Sequence, residues 1–223
     1  MLMIIFFVDQ NLKNLPLSKI LDIAKLNNVN RPIEAANGLP NECYTNKDYL
    51  AHEREKVFLN KWTVIGVASS IPNPGDAKPH NLLGIPLIMV RDKEMKIRVF
   101  HNVCSHRGFK LIDKPCTLKN IIRCPYHSWS YNFDGKLMAT PHIGGLNNHL
   151  SENFDKTKSN LKEVKTKVWM DIIFVNINSN EIEFDEYIKP LKKRWQKFIN
   201  KEDYKSLVHS NDHGYFTLDV NCN

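Results

Sequence analysis

The chain has 223 residues, 42% of them hydrophobic and 25% charged, with a formal net charge of +7. That length allows one large domain or two small ones, with a core that needs no disulfides. The excess charge does not mark a nucleic-acid or membrane partner. The lysines stand singly or in pairs among acids, and docking to an acidic redox partner is the functional reading left.

The apolar run Leu2–Val8 is too short to span a bilayer and has neither the basic start nor the cleavage site of a signal peptide. It reads as a buried strand or as the product of a start codon assigned too far upstream, and not as an anchor. A cytoplasmic setting follows, in which the five cysteines stay reduced and metal ligation outranks disulfide bonding. Residues 1–38 form an N-terminal segment with a helix expected over Leu15–Leu26 and a break at Gly38-Leu39-Pro40. Residues 39–62 read as a helical lead-in. Thr45 and Asp48 resemble a capping box, opening a helix that runs to about Asn60 with Leu50, Val57, Phe58 and then Trp62 on its apolar face.

From Trp62 the texture becomes β. Thr63–Ala68, Pro86–Arg91, Lys96–Val103, Ile121–Arg123, Ser128–Phe133, Lys136–Ala139, Val164–Asp171 and Ile172–Ile177 read as short strands, with dense turn chemistry at Ile71–Asp76. Asp134-Gly135 predicts a type I′ hairpin, and His142–Gly145 a glycine-rich loop. The expected fold class is α+β, mainly β: a small barrel or sandwich over residues 63–178 with flanking helices. Asp185 opens a last helix bearing Ile188, Leu191, Trp195 and Phe198 on one face, with Pro190 tolerable only in its first turn.

The chemistry lies in Cys104-Ser-His106, seventeen residues, then Cys124-Pro-Tyr-His127. Each half ends a strand and sits in a loop. A zinc finger groups its cysteines before its histidines, whereas here the order alternates. A [2Fe–2S] centre of the Rieske type needs that alternation, with two thiolates on one iron and two imidazoles on the other. A zinc-stabilised interaction module is the weaker alternative. Cys43, Cys116 and Cys222 read as small buried residues, and His101, His142 and His149 as structural, solvated or peripheral to the centre.

Asn102-Val-Cys-Ser-His-Arg-Gly108 and Cys124-Pro-Tyr-His-Ser-Trp129 resemble the two cluster-binding boxes of Rieske non-haem iron oxygenases, in their large (alpha) subunit. The resemblance covers about residues 39 to 223. It implies an oxidoreductase whose cluster is held by Cys104, His106, Cys124 and His127. A ferredoxin or flavin reductase would feed it, and it would feed a mononuclear Fe(II) in the full-length protein, which forms a homotrimer or other homo-oligomer. Residues 179–223 would begin the catalytic domain, and no catalytic residue is assigned within the chain. His209 and His213 do not match that family's facial triad, and the chain ends before the stretch that introduces it. Aromatic acids and quaternary ammonium compounds are the substrate classes the resemblance allows. A stand-alone Rieske-type ferredoxin is the alternative.

Within the resemblance, Gly108 lets backbone amides approach the cluster, Arg107 steadies the loop or meets a carboxylate across a subunit interface, and Tyr126 and Trp129 shield the cluster. Ser128 stands where the family has glycine. Phe109 and Tyr126 fall where the respiratory type has a bracing disulfide, and Trp129 where it has a serine bonded to sulfur. These changes imply a potential low in the Rieske range, near about −150 mV.

Overall fold

The computed structural model describes residues 15–149, 151, 153–178 and 183–197. The expectations for Leu2–Val8, Phe198, His209, His213 and Cys222 lie outside them. The lead-in is α1 (Leu17–Ile20), α2 (Ile23–Asn27), α3 (Glu42–Thr45) and α4 (Lys47–Glu53). The single helix expected over Leu15–Leu26 is split. Leu21 is extended, and Asp22 caps α2 by accepting from the amides of Ala24 and Lys25.

The capping box is likewise displaced. Asn46 caps α4 through the amides of Asp48 and Tyr49, while Thr45 ends α3 and returns its hydroxyl to the Asn41 carbonyl. After Glu53 the helix widens to a π-turn over Arg54–Phe58, with the Leu59 amide donating to the Arg54 carbonyl. The extra residue in that turn rotates the apolar stripe. Leu59 and Trp62 are buried, whereas Leu50 and Val57 are exposed.

Among the described residues, ten strands form three antiparallel sheets: β1 (Thr63–Val67), β2 (Asp76–Leu82), β3 (Ile85–Arg91), β4 (Ile97–His101), β5 (Cys116–Thr117), β6 (Ile122–Arg123), β7 (Ser130–Tyr131), β8 (Leu137–Ala139), β9 (Lys165–Trp169) and β10 (Ile172–Asn176). Their orders are β1-β10-β9, β4-β3-β2-β5 and β6-β7-β8. The four-stranded sheet is covered on both faces. Along β3, Ile88 and Val90 enter a core shared with Ile122, Tyr131 and Leu137, while Leu87 and Met89 enter one shared with Ile65, Ile173 and Val175. Burial on both faces is why β3 reads as an unbroken apolar run. Each such side chain contributes roughly 1.5–3 kcal/mol.

The strands missed in sequence are the two-residue β5 and β2, which contains Pro79. Residues 77–82 of β2 pair with β3, but β5 meets only Asp76 and Ala77, so Pro79 lies on an open edge that needs no donor. Two-residue turns stand where neighbouring residues both have positive φ: Leu83-Gly84 joins β2 to β3, and Met170-Asp171 joins β9 to β10. Asp171 is therefore turn, not strand. At the Asp134-Gly135 hairpin only Gly135 (φ 79°) is left-handed, and its amide donates to the Asn132 carbonyl. That is a type I turn with a glycine bulge, not type I′.

On the outer side of β10, Trp62, Phe174, Phe184 and Ile188 form a third cluster. It seats α5 (Phe184–Tyr187) and α6 (Lys189–Trp195), which break at Ile188 so that Pro190 falls in the first turn of α6. Among the described residues no helix is long and apolar enough to cross a membrane.

Candidate metal centre

Two loops meet at one end of the core. The first follows β4 and contains Cys104 and His106; the second joins β6 to β7 and contains Cys124 and His127. Asn102 closes the first from inside. Its fully buried side chain donates to the Ile112 carbonyl (2.6 Å) and accepts from the amides of Leu111 and Ile112.

Beyond that the loops share one backbone frame. The Cys104 amide donates to the Phe109 carbonyl, and the Gly108 amide to the Cys104 carbonyl. In the second loop the Cys124 amide donates to the Trp129 carbonyl, and the Ser128 amide to the Cys124 carbonyl. Each frame presents one thiol and one imidazole. Cys104 and Cys124 are buried side by side, and the rings of His106 and His127 lie 4.9 Å apart. The four thus form a thiol pair and an imidazole pair. A single tetrahedral ion needs its ligands on one point, and among the described residues no three His, Cys, Asp or Glu side chains form such a group.

Residues 61–150 match the model of the Rieske [2Fe-2S] domain. This chain carries a Rieske [2Fe-2S] domain. Over 153 residues it is 31% identical to the carnitine monooxygenase oxygenase subunit of Escherichia coli (strain K12), covering 69% of this chain and 40% of that one. Over 151 residues it is 28% identical to the 2-aminobenzenesulfonate 2,3-dioxygenase subunit alpha of Alcaligenes sp., covering 67% and 38%. Among solved structures it is similar to a quaternary ammonium Rieske monooxygenase, described in terms of carnitine oxidation and inter-subunit electron transfer. The TM-score there is 0.61 at 28% identity, over 71% of this chain and 42% of that one. The chain thus spans about two fifths of the length of these relatives, and its similarity to them includes the Rieske domain.

The residues present fit the cluster of a Rieske domain. The Nδ1 atom of His127 is buried without a hydrogen-bond partner, as a nitrogen kept for a metal would be. Burial, then the neighbouring His127 and Arg107, holds the His106 imidazole below its ordinary pKa, in the neutral form a ligand needs. Burial pushes the Cys104 thiol up and the adjacent Cys124 adds to this, against the pull of the Tyr131 hydroxyl and the His106 amide. Two adjacent buried thiols lose their protons together only against positive charge, which iron supplies.

Aromatic rings cover the imidazoles. Trp129 is buried and stacks on His106 at 4.6 Å and 11°, while the half-exposed Tyr126 lies 3.7 Å from the His127 ring. Phe109 and Tyr126, at the places of the respiratory type's cysteines, touch each other across the two loops at 5.4 Å. That apolar contact joins the two loops where no disulfide was expected.

Sequence reasoning missed Tyr131 and Ser105. Tyr131 is fully buried with its hydroxyl 3.2 Å from Cys104 Sγ, 2.8 Å from Ser105 Oγ and 3.1 Å from the Ser105 amide. A phenol four residues past the last histidine carried no signal as a bare residue type. The Ser128 hydroxyl accepts from Arg123 Nη2 at 2.9 Å.

Other residues land away from the ligands. Cys116 is exposed and Cys43 half-buried, so neither is the buried residue expected; short edge pairing of β5 leaves Cys116 uncovered. His101 is buried in β4, and His142 and His149 accept from backbone amides in the glycine-rich loop. Outside the imidazoles opens a groove of about 980 Å³ lined by Arg107, Arg123, His142, Ile143 and Phe154, and among the described residues no Asp or Glu lines it.

Proposed function

We propose that Cys104, His106, Cys124 and His127 hold the cluster, the thiolates on one iron and the imidazoles on the other. The pairing of thiol with thiol and imidazole with imidazole in two matching loop frames carries this reading. When bound, the cluster takes up and gives back one electron. Cys104 and Cys124 keep its sulfur-ligated side inside the core, and His106 and His127 keep the other side at the groove. Trp129 excludes water from one imidazole, and Tyr126 lies over the other.

The chain then serves as the electron-transfer part of an oxygenase large subunit. A ferredoxin or flavin reductase supplies electrons, and Arg107 and Arg123 give the groove a sign that suits an acidic partner surface. The full-length protein would hold a mononuclear iron beyond residues 63–178, and that iron would supply the dioxygen chemistry for hydroxylating or demethylating a small organic compound. The relatives favour quaternary ammonium compounds or aromatic acids as that compound. Residues 179–223 belong to the catalytic part, in a homo-oligomer where one subunit's cluster serves the next. A cytoplasmic setting keeps the two thiols reduced until iron binds.

Anaerobically reconstituted protein contains iron and acid-labile sulfide in equal amounts, and Cys104→Ser or His127→Ala loses both. One tightly bound zinc with no sulfide would overturn the assignment.

A further inference from the structure

We infer that Ser105 draws the Tyr131 proton away from the Cys104 sulfur, so that Ser105 holds the cluster's potential below the value the tyrosine alone would set. This rests on Cys104 being an iron ligand, hence a thiolate that only accepts hydrogen bonds.

The inference comes from counting protons. Tyr131 has one hydroxyl proton and two acceptors within reach, Cys104 Sγ at 3.2 Å and Ser105 Oγ at 2.8 Å. Ser105 also has one, and the Ser159 carbonyl, which can only accept, lies 2.6 Å from its oxygen. The Ser105 amide donates to the phenol oxygen in either case. The two hydroxyl oxygens lie 2.8 Å apart and need a proton between them, and two arrangements place one there. In one, Ser105 donates to Ser159, Tyr131 donates to Ser105, and the Cys104 sulfur has no phenol donor. In the other, Ser105 donates to Tyr131, Tyr131 donates to Cys104, and water serves the Ser159 carbonyl, which lies at the groove.

No proton leaves the network; two hydroxyls rotate. The second arrangement places a donor on sulfur, which gains most when the cluster has its extra electron. The first removes it. The short 2.6 Å bond to Ser159 favours the first, and with it a lower potential. Ser105 is thus a positioning residue that acts through Tyr131.

The test is a redox titration followed by electron paramagnetic resonance, on reconstituted protein of confirmed iron and sulfide content. Ser105→Ala leaves Tyr131 only the sulfur as acceptor and raises the midpoint by about tenfold in the reduction equilibrium, about 59 mV for one electron. Tyr131→Phe lowers the midpoint. Ser105→Ala added to Tyr131→Phe moves it no further, and Ser105→Thr, which keeps the hydroxyl, restores the native value. A serine that merely braces the loop would shift the potential whether or not the phenol is present. An unchanged or lower midpoint in Ser105→Ala, or a shift that survives in the Tyr131→Phe background, overturns the inference. If Ser105→Ala does not keep the cluster, Ser105→Gly is read the same way. Loss of the cluster in both makes Ser105 a folding residue and overturns it too. Absence of iron and sulfide from the unsubstituted protein is the separate failure of the ligand assignment.

Discussion

Gly108 and Ser128 hold the same place in the two cluster loops. Each donates its amide to the carbonyl of the cysteine four residues earlier, and each has a left-handed backbone, at φ 70° and 60°. Glycine adopts that conformation freely, whereas a side chain costs about 1 kcal/mol there.

Ser128→Gly therefore stabilises the domain by up to about 1 kcal/mol, less the exposed bond from Arg123. Gly108→Ala costs about as much. Denaturant midpoints of the two variants check this, and a destabilised Ser128→Gly counts against it.

Asn102 makes the three bonds that close the first loop at a site with no access to water. Asn102→Ala leaves the Leu111 and Ile112 groups unpaired and costs about 3 kcal/mol, with loss of visible cluster absorption. Asn102→Asp does no better, because a carboxylate oxygen then faces the Ile112 carbonyl. Retention of the cluster in both variants would show that the loop is held by other contacts.

Gly75 and Gly84 share φ 89°, yet differ in space. A Cβ on Gly75 falls 2.1 Å from the Leu118 carbonyl oxygen, while one on Gly84 meets nothing within 4 Å. Gly75→Ala thus forces the backbone apart and costs about 3 kcal/mol or more, against about 1 kcal/mol for Gly84→Ala. Thermal unfolding of the two variants distinguishes them, and equal losses would mean that strain alone matters.

His101 supplies a pH dependence. Burial, with a smaller part from Lys162, lowers its pKa from 6.5 to about 4. The unfolded chain therefore binds the proton first. Stability from this group is whole above pH 6.5 and falls as pH drops toward 4, by about 3 kcal/mol in all. Unfolding free energies of the native protein and His101→Gln converge across that window, and parallel curves would exclude His101 as the source. Comparing the two also removes the contribution of Asp76, whose lowered carboxyl pKa acts in the same direction.

The ligand pattern was legible because it is local: a cysteine and a histidine two or three residues apart, each pair at the end of a strand. β3, β4 and β10 were equally legible, since strands buried in the core read as apolar runs bounded by turn residues. Tertiary structure alone decided what lies around the ligands. The Cys104–Tyr131 contact joins residues 27 apart, and the Ser105–Ser159 bond residues 54 apart. Neither distance follows from spacing, because each depends on how the β6-β7-β8 sheet and the segment before β9 pack on the first loop. The same holds for Pro79, admitted to a strand only because β5 stops short of it. Residue types and near-neighbour spacing are written in one dimension. Which hydroxyl reaches which sulfur is set by packing, where side chains distant in the chain compete for the same proton.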